Sequence, residues 1–284
     1  MESVLHIENL TKKYPKFTLG PLSLDIRRGR IMGLIGRNGA GKTTCLKSAL
    51  GLAHPSSGSV TFFGIPYEGN ESVIRARIGY AAGGTHYYTM KKLKNILAVT
   101  RMFYPTWDEN MCEEYMHRFS LDTDKCIEQL SEGMKVKFLL TMALSHHADF
   151  LILDEPTSGL DPVSRDELLD IFLALAKEGV TILFSTHIIS DLEKCADDIT
   201  YIQSGRVLTS EPMDSFTDKY RLISVDGRET DVQKEKIIGI NQSRNESTGM
   251  ILASDAAFFP NKSIRTCDLE TVMIHLEKNG ENEQ

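Results

Sequence analysis

Nine consecutive residues set the architecture expected of this chain: Gly36-Arg37-Asn38-Gly39-Ala40-Gly41-Lys42-Thr43-Thr44. They match the G-x-x-x-x-G-K-[ST] pattern of a phosphate-binding loop, which joins a strand to the first turn of a helix. The flanks agree with that context, because residues 31–35 are apolar and residues 45–50 suit a helix start. We therefore predict strand, loop and helix in that order, with the helix N-terminus directed at the bound group.

The residue types in this loop suit a polyphosphate. Glycines at positions 36, 39 and 41 leave room for backbone N–H groups to close around phosphate oxygens. The Lys42 ammonium can reach the β- and γ-phosphates, and the Thr43 hydroxyl can coordinate Mg²⁺. Cys45 follows at the helix start, where a thiol can become more acidic, and burial in the core is the alternative. The predicted nucleotide-binding residues of the loop are Gly36, Arg37, Asn38, Gly39, Ala40, Gly41, Lys42, Thr43 and Thr44.

The composition is that of an ordinary globular protein. The 284 residues carry 32 basic and 39 acidic side chains, and the net charge of −7 argues against a nucleic-acid partner. We expect no signal segment and no membrane span, because no apolar run approaches the ~20 residues that a span needs. The five cysteines form no C-x-x-C pair, which is typical of free thiols in a reducing cytosol.

Hydrophobic patterns divide the chain into a sheet core, a helical lobe and a small C-terminal domain. The runs at 150–153 and 180–184 are dominated by apolar residues and predict buried parallel strands. A helix is predicted over 162–177 between them, with Asp161 as its N-cap and Pro162 in its first turn. Helical spacing dominates from about residue 84 to 148, so this segment is predicted to be an inserted lobe. The nucleotide-domain pattern covers residues 1–215. Residues 216–284 are more polar and predict an α+β appendage with a final amphipathic helix.

An acidic pair ends the apolar run at 150–153. A buried strand would deliver Asp154 and Glu155 to the C-terminal edge of the sheet, where ligands bind in open α/β folds. Asp154 suits Mg²⁺, directly or through water, and Glu155 can polarise the water that attacks the γ-phosphate. We therefore predict Glu155 and Lys42 as catalytic residues, with Thr43 and Asp154 at the metal.

Three further motifs carry a resemblance to a known family. Leu130-Ser131-Glu132-Gly133-Met134 precedes the acidic strand, Pro156-Thr157-Ser158-Gly159-Leu160-Asp161 follows it, and His187 follows the next strand. With the phosphate loop, this order resembles the ATP-binding cassette (ABC) family over roughly residues 1–215. The resemblance implies an α/β fold, namely a P-loop NTPase ABC nucleotide-binding domain with a mixed sheet and a helical lobe.

The resemblance also implies partners and roles. Two ABC domains would pair head to tail, as a homodimer or a heterodimer, with two ATP molecules and Mg²⁺ between them. Ser131 and the Gly133 backbone would cap the γ-phosphate on the partner's loop, and residues 158–161 would contact across the dimer. His187 would sense the γ-phosphate, although a structural histidine is the alternative. Tyr14 would stack on adenine, although a simple loop aromatic is the alternative.

Two segments depart from the family pattern. One is the strand end at Gly83, and the other is the signature segment, residues 130–134, which reads Leu-Ser-Glu-Gly-Met where the family commonly has Leu-Ser-Gly-Gly-Gln. Gly83 stands where ABC proteins usually carry the glutamine that coordinates Mg²⁺, and Thr85 or His86 are the candidate substitutes. We expect Gly83 to weaken Mg²⁺ retention, so Gly83→Gln would lower the Mg²⁺ needed for ATPase activity. Glu132 replaces a glycine and would be unfavourable near a triphosphate unless it points away or pairs with Lys135 or Lys137.

Three functions are compared with the sequence. The first is the ATPase subunit of a transporter, on the inner face of the membrane, that drives a separate permease. The altered signature and residues 103–108 resemble exporter ATPases found beside GntR-family regulators, so the cargo would be a drug, peptide or lipid-like molecule. The second is a soluble ABC ATPase, such as an iron–sulfur assembly component. The third, an inactive regulatory cassette, conflicts with the presence of Lys42, Asp154, Glu155 and His187.

Overall fold

The computed structural model describes residues 2–82, 88–242 and 246–282. Gly83 and its candidate substitutes Thr85 and His86 lie outside the described residues. The chain divides into two compact units, Met1–Ser210 and Glu211–Gln284, whereas the sequence predicted a boundary after residue 215. Among the described residues, no helix has the length and apolar character that crossing a membrane requires.

Strands and helices alternate through most of the chain. The strands are β1 (Ser3–Tyr14), β2 (Phe17–Arg27), β3 (Ile31–Ile35), β4 (Ser57–Phe62), β5 (Ile65–Pro66), β6 (Ile78–Ala82), β7 (Phe150–Asp154), β8 (Thr181–Thr186), β9 (Asp198–Gln203), β10 (Arg206–Pro212), β11 (Tyr220–Ser224), β12 (Ile238–Gln242), β13 (Ser247–Leu252) and β14 (Ile264–Thr266). The helices are α1 (Lys42–Ala49), α2 (Glu71–Arg75), α3 (Leu93–Thr100), α4 (Glu109–Arg118), α5 (Glu132–Ser145), α6 (Pro162–Lys177), α7 (Ile189–Cys195), α8 (Met213–Asp218), α9 (Asp231–Glu235) and α10 (Leu269–Asn282). Short 3-10 turns occupy Arg101–Phe103, Ile127–Gln129 and Ala253–Phe258.

The larger unit contains two sheets. An antiparallel sheet has the strand order β2-β1-β4-β5, and a second sheet has the order β10-β9-β3-β8-β7-β6. In β2 the side chains of Leu22, Leu24 and Ile26 are buried while Ser23 and Asp25 are exposed, which is the alternation of a strand with one covered face. The second sheet runs parallel from β9 through β6, and β3, β7 and β8 are buried along their whole length. The observed architecture confirms the predicted α/β class.

The register of the parallel sheet places the carboxyl ends of β3, β7 and β8 side by side. Ile35 at the end of β3 pairs with Thr186 at the end of β8, and Asp154 at the end of β7 pairs with Ser185. The carboxyl ends of three neighbouring strands therefore lie at one edge. The phosphate loop, the acidic pair and His187 all follow these ends directly in the sequence.

The segment between β6 and β7 forms the helical lobe around α3, α4 and α5. Two of these helices, α4 and α5, begin where the sequence supplies a side-chain acceptor: Asp108 accepts from the Met111 amide at 3.1 Å, and Ser131 accepts from the Met134 amide at 3.2 Å. Similarly, Asp161 caps α6 by accepting from the amides of Val163 and Ser164, and Pro162 occupies the first turn, as predicted.

The smaller unit is an antiparallel sheet in the order β12-β13-β11-β14 with α10 packed against β12 and β13. Ile223, Ile251 and Phe259 form its apolar centre. The Thr271 amide donates to Asp268 at the start of α10, as expected of a capping residue. The sequence predicts strands over residues 222–225 and 250–253, which correspond to β11 and β13. It misses β12, which carries only two apolar side chains, Ile238 and Ile240, and β14, which is three residues long.

Candidate nucleotide-binding site

The phosphate loop leaves β3 and enters α1 at Gly41, whose φ of 114° is left-handed. A Cβ atom at Gly41 would lie 2.8 Å from Leu19 Cδ1 and 3.0 Å from Phe17 Cζ. At Gly36 it would lie 2.2 Å from the Ile202 carbonyl oxygen. Both positions therefore require glycine, and Gly41 offers no side chain to the amides of the first turn of α1. Those amides remain available for an anion.

Lys42 lies inside the loop with 5% of its side chain exposed. Its Nζ atom donates to the Gly36 carbonyl at 2.7 Å and lies 3.2 Å from Glu155 Oε1. The positive charge of Lys42 is thus balanced within the site by the carboxylate of Glu155, the residue that follows β7. Because a phosphate group would offer Lys42 the same type of anionic oxygen, phosphate and Glu155 compete for one ammonium.

The acidic pair separates into two environments. Asp154 is buried, and its Oδ1 atom accepts from Ser185 Oγ at 2.5 Å. Glu155 has a φ of 52°, a left-handed conformation that is uncommon for a non-glycine residue. Its amide donates to Ser185, at 3.1 Å to the carbonyl oxygen and 2.9 Å to the hydroxyl. These bonds to β8 hold the unusual backbone, which leaves the Glu155 carboxylate in contact with Lys42 and His187.

His187 follows β8 and lies beside the acidic pair. Its Nδ1 atom is 2.8 Å from Glu155 Oε2, and 43% of its side chain is exposed. The next amide, that of Ile188, is satisfied by Thr186 Oγ1 at 2.9 Å. His187 therefore contacts Glu155, and Glu155 bridges Lys42 and His187.

A cavity of about 330 Å³ opens over these groups. Its walls are Phe17, Arg37, Asn38, Gly39, Gly41, Lys42, Thr43, Thr44, Glu155, Ser158 and His187. Gly36 and Ala40 lie behind the wall: Gly36 accepts from Lys42, and the Ala40 amide donates to the Arg37 carbonyl at 3.0 Å. The buried thiol of Cys45 has a pKa raised to about 12 by its burial, so the packing alternative is correct for this cysteine.

Phe17 was missed by sequence analysis. It pairs with Tyr14 across the β1–β2 turn, where two residues separate the strands. Phe17 lines the cavity, whereas Tyr14 lies outside its walls with 44% exposure and the Lys12 ammonium 5.2 Å from its ring centre. The signal that could have found Phe17 is the hairpin itself, because residues directly opposite in a two-residue hairpin share one face.

Ser131 and Gly133 lie apart from this cavity. Ser131 is engaged as the cap of α5, and a Cβ atom at the buried Gly133 would lie 3.6 Å from Ser164 Cβ. Glu132 pairs with Lys135 at 2.7 Å, which is one of the two predicted pairings, while Lys137 pairs with Glu167 at 2.8 Å. One chain therefore does not bring the signature segment onto its own phosphate loop.

Comparison with known proteins decides the family. The family model described as ABC transporter matches residues 19–158. The chain is 33% identical over 225 residues to the bacitracin transport ATP-binding protein BcrA of Bacillus licheniformis, which covers 78% of this chain and 74% of that protein. This chain belongs to the ABC transporter family.

Further similarities agree with membership of the ABC transporter family. The lantibiotic transport ATP-binding protein SrtF of Streptococcus pyogenes is 34% identical over 214 residues, or 74% of this chain and 92% of that one. A solved ATP-binding subunit of an ABC transporter is 28% identical and superposes with a TM-score of 0.67 over 75% of this chain and 91% of its own. The predicted family and ABC cassette fold are confirmed. This ABC protein binds and hydrolyses ATP, and ATP-binding subunits of ABC transporters work with a membrane permease.

The oxygen donors of this ABC cassette fit Mg²⁺ as a companion of ATP. The Thr43 hydroxyl lines the cavity, and Asp154 supplies a buried carboxylate whose Oδ1 is held by Ser185. Within the described residues, no group of three or more His, Cys, Asp or Glu side chains is arranged to hold a metal ion. Mg²⁺ prefers oxygen ligands and usually binds through one or two protein groups plus phosphate oxygens and water. The donor set therefore suits an ion that arrives with the nucleotide.

Proposed function

We propose that this chain is the ATP-hydrolysing subunit of an ABC exporter, acting on the cytoplasmic face of the membrane with a separate permease. The names of its relatives support export: bacitracin transport, lantibiotic transport and, at 33% identity over 204 residues, the Nod factor export ATP-binding protein I of Neorhizobium galegae. These cargoes are peptides and a lipid-like molecule, so the proposed substrate belongs to the drug, peptide or lipid-like class. The same names favour transport over the iron–sulfur alternative.

The contact of Glu155 with both Lys42 and His187 carries the proposed mechanism. The γ-phosphate of bound ATP would draw Lys42 toward its own oxygens and release Glu155 from the ion pair. Glu155 would then accept a proton from the attacking water, while His187 holds the other carboxylate oxygen and faces the γ-phosphate. Thr43 and Asp154 would hold Mg²⁺, whose positive charge would offset negative charge on the phosphates when it is bound.

The remaining site residues are assigned to nucleotide recognition across two chains. Ser131 and Gly133 lie outside their own cavity, which supports a head-to-tail arrangement in which they cap the γ-phosphate held by a partner ABC domain. Tyr14 and Phe17 would hold the adenine, because they face each other at the end of the β1–β2 hairpin beside the loop.

The helical lobe offers the permease a docking surface. Tyr88, Met90, Met102 and Phe103 are each at least 71% exposed, whereas Tyr104 stacks on His146 with ring centres 3.9 Å apart. The aromatic side chains of the lobe therefore lie partly in the core and partly on the surface. Large exposed apolar side chains mark an interaction surface in a soluble subunit.

Glu155→Gln tests the mechanism, because it keeps the size of the side chain and removes the proton acceptor. We expect ATP binding to stay within about twofold of wild type and the hydrolysis rate to fall at least about 100-fold. Glu68→Gln, the same change on an exposed residue, is the matched control. Hydrolysis by Glu155→Gln near the wild-type rate would reject Glu155 as the base.

A further inference from the structure

A third carboxylate, that of Asp191, lies close enough to His187 and Glu155 to feel their charges and takes no part in the mechanism above. Asp191 belongs to α7, four residues after His187, and 1% of its side chain is exposed. Within the residues that the structure describes, neither of its carboxylate oxygens has a hydrogen-bond partner. Burying an ionised carboxylate without hydrogen bonds is expensive, so this arrangement needs a physical reason.

Two side chains close to Asp191 carry polar atoms that are complementary to it and that also have no hydrogen-bond partner among the described residues. Arg165 Nε lies 3.9 Å from Asp191 Oδ1, and neither this Nε atom nor the buried Thr157 hydroxyl has a hydrogen-bond partner among the described residues. Burial raises the pKa of Asp191, while Thr157, Arg165 and His187 each act to lower it. Thr157 is therefore close enough to influence the carboxylate without forming a hydrogen bond of normal geometry.

Each of these three groups stands on a different segment of the site. Thr157 is two residues after Glu155, Arg165 is on α6 four residues after its cap Asp161, and Asp191 is on the helix that follows His187. A charge-assisted N–H···O bond is about 2.8 Å long, so a relative shift of about 1 Å would convert the 3.9 Å contact into a hydrogen bond. A small relative movement of the three segments would therefore allow Asp191 to accept a hydrogen bond from Arg165.

We propose that Asp191 is a positioning residue whose carboxylate bonds Arg165 and Thr157 when the ATP-loaded cassette engages its partner. The bonds would lock the helix after His187 to residues 156–161, so that γ-phosphate contact and partner contact are made together. Asp191 touches neither nucleotide nor partner in this scheme. The inference rests on the proposed function, because the closing step requires ATP and a second ABC domain.

Thr157→Val provides the sharpest test, because it preserves shape and deletes a hydroxyl that has no hydrogen-bond partner among the described residues. Because no hydrogen bond of normal geometry is lost, the melting temperature should stay close to that of wild type. The hydrolysis rate at saturating ATP should nevertheless fall about threefold or more, with KM for ATP unchanged within about twofold. An unchanged kcat in this folded variant would overturn the proposal.

Asp191→Asn and Arg165→Gln test the pair itself. Each should lower kcat about tenfold while ATP binding stays within about twofold, and the double variant should be no slower than the slower single variant. Asp191→Glu should recover part of the rate, because it restores a carboxylate. Asp170→Asn, the same change on the exposed face of α6, is the control and should keep the wild-type rate. The coupling of Asp191 with Arg165 would be contradicted if the losses of kcat in the two single variants add up in the double variant, or if ATP binding falls as much as kcat.

The activities of the Glu155, Thr157 and Asp191 variants separate the proposed mechanism from the positioning role of Asp191. If Glu155→Gln keeps hydrolysing ATP, the proposed mechanism fails. If Glu155→Gln is inactive while Thr157→Val and Asp191→Asn both fold and hydrolyse at the wild-type rate, the positioning role alone fails.

Discussion

Two glycines of the phosphate loop are required by their backbone conformation. Gly41 and Gly39 both have positive φ, at 114° and 84°. They differ in their surroundings, because a Cβ atom at Gly39 would meet nothing within 4 Å, whereas at Gly41 it would press on Leu19 and Phe17. A side chain at Gly39 would therefore add backbone strain alone, whereas a side chain at Gly41 would add both backbone strain and steric overlap.

Gly41→Ala should accordingly destabilise the larger unit more than Gly39→Ala. We expect about 1 kcal/mol for Gly39→Ala from backbone strain, and about 3 kcal/mol for Gly41→Ala, where overlap is added. Urea unfolding followed by the fluorescence of Trp107, the single tryptophan of the sequence, measures both. Equal losses of stability would contradict the role assigned to the packing of Leu19 and Phe17.

His146 confers a pH dependence on the larger unit. Its ring is buried against Tyr104, its Nδ1 lies 2.9 Å from the Met142 carbonyl, and burial lowers its pKa below 6.5. The unfolded chain then binds a proton more readily than the folded one. Stability is therefore retained above about pH 6.5 and lost as the pH falls below it.

Replacing His146 by Phe keeps an aromatic ring on Tyr104 and removes the titrating group. The decline in melting temperature between about pH 7.5 and about pH 5.5 should be shallower in His146→Phe than in wild type. His117→Gln, at an exposed position of α4, should leave the slope unchanged. A slope in His146→Phe equal to that of wild type would assign the dependence to other groups.

At the scale of elements, the start of α5 combines a structural and a functional role in one side chain. Ser131 caps the helix in this chain and is proposed to cap a γ-phosphate in the partner. Because Asp caps a helix as well as Ser does but repels phosphate, the two roles can be separated by substitution.

Ser131→Asp should keep the stability of the lobe and abolish the proposed contact with the γ-phosphate held by the partner. We expect unfolding free energies within about 0.5 kcal/mol of wild type and at least about tenfold slower ATP hydrolysis. Ser131→Ala, by contrast, should also lose about 1 kcal/mol of stability, because the cap disappears. Wild-type hydrolysis by Ser131→Asp would exclude Ser131 from phosphate binding.

At the scale of the whole molecule, the site within one chain lacks the groups proposed to cap its γ-phosphate. The 330 Å³ cavity is walled by the phosphate loop, Phe17, Glu155, Ser158 and His187, and the signature segment lies elsewhere. ATP should therefore promote association of two ABC domains, each completing the other's site.

The hydrolysis-deficient Glu155→Gln variant should accumulate as an ATP-bound dimer. Gel filtration with ATP should give the dimer, and the double variant Glu155→Gln with Ser131→Asp should remain monomeric, because its signature repels the phosphate. A Glu155→Gln chain that stays monomeric with ATP would reject the homodimer and point to another ATPase chain as the mate.

Local sequence determined the phosphate loop, the buried strands and the cap of α6, because glycine spacing, apolar runs and capping residues act over a few neighbouring positions. It also identified Lys42, Glu155 and His187 individually. The tertiary structure alone decided their contacts: Glu155 bridges Lys42 and His187, Phe17 enters the cavity wall, and Asp191 faces Arg165 and Thr157. These contacts join residues distant in the chain, and sheet register and helix packing set them. The apolar pattern of one segment does not show which other segment packs against it.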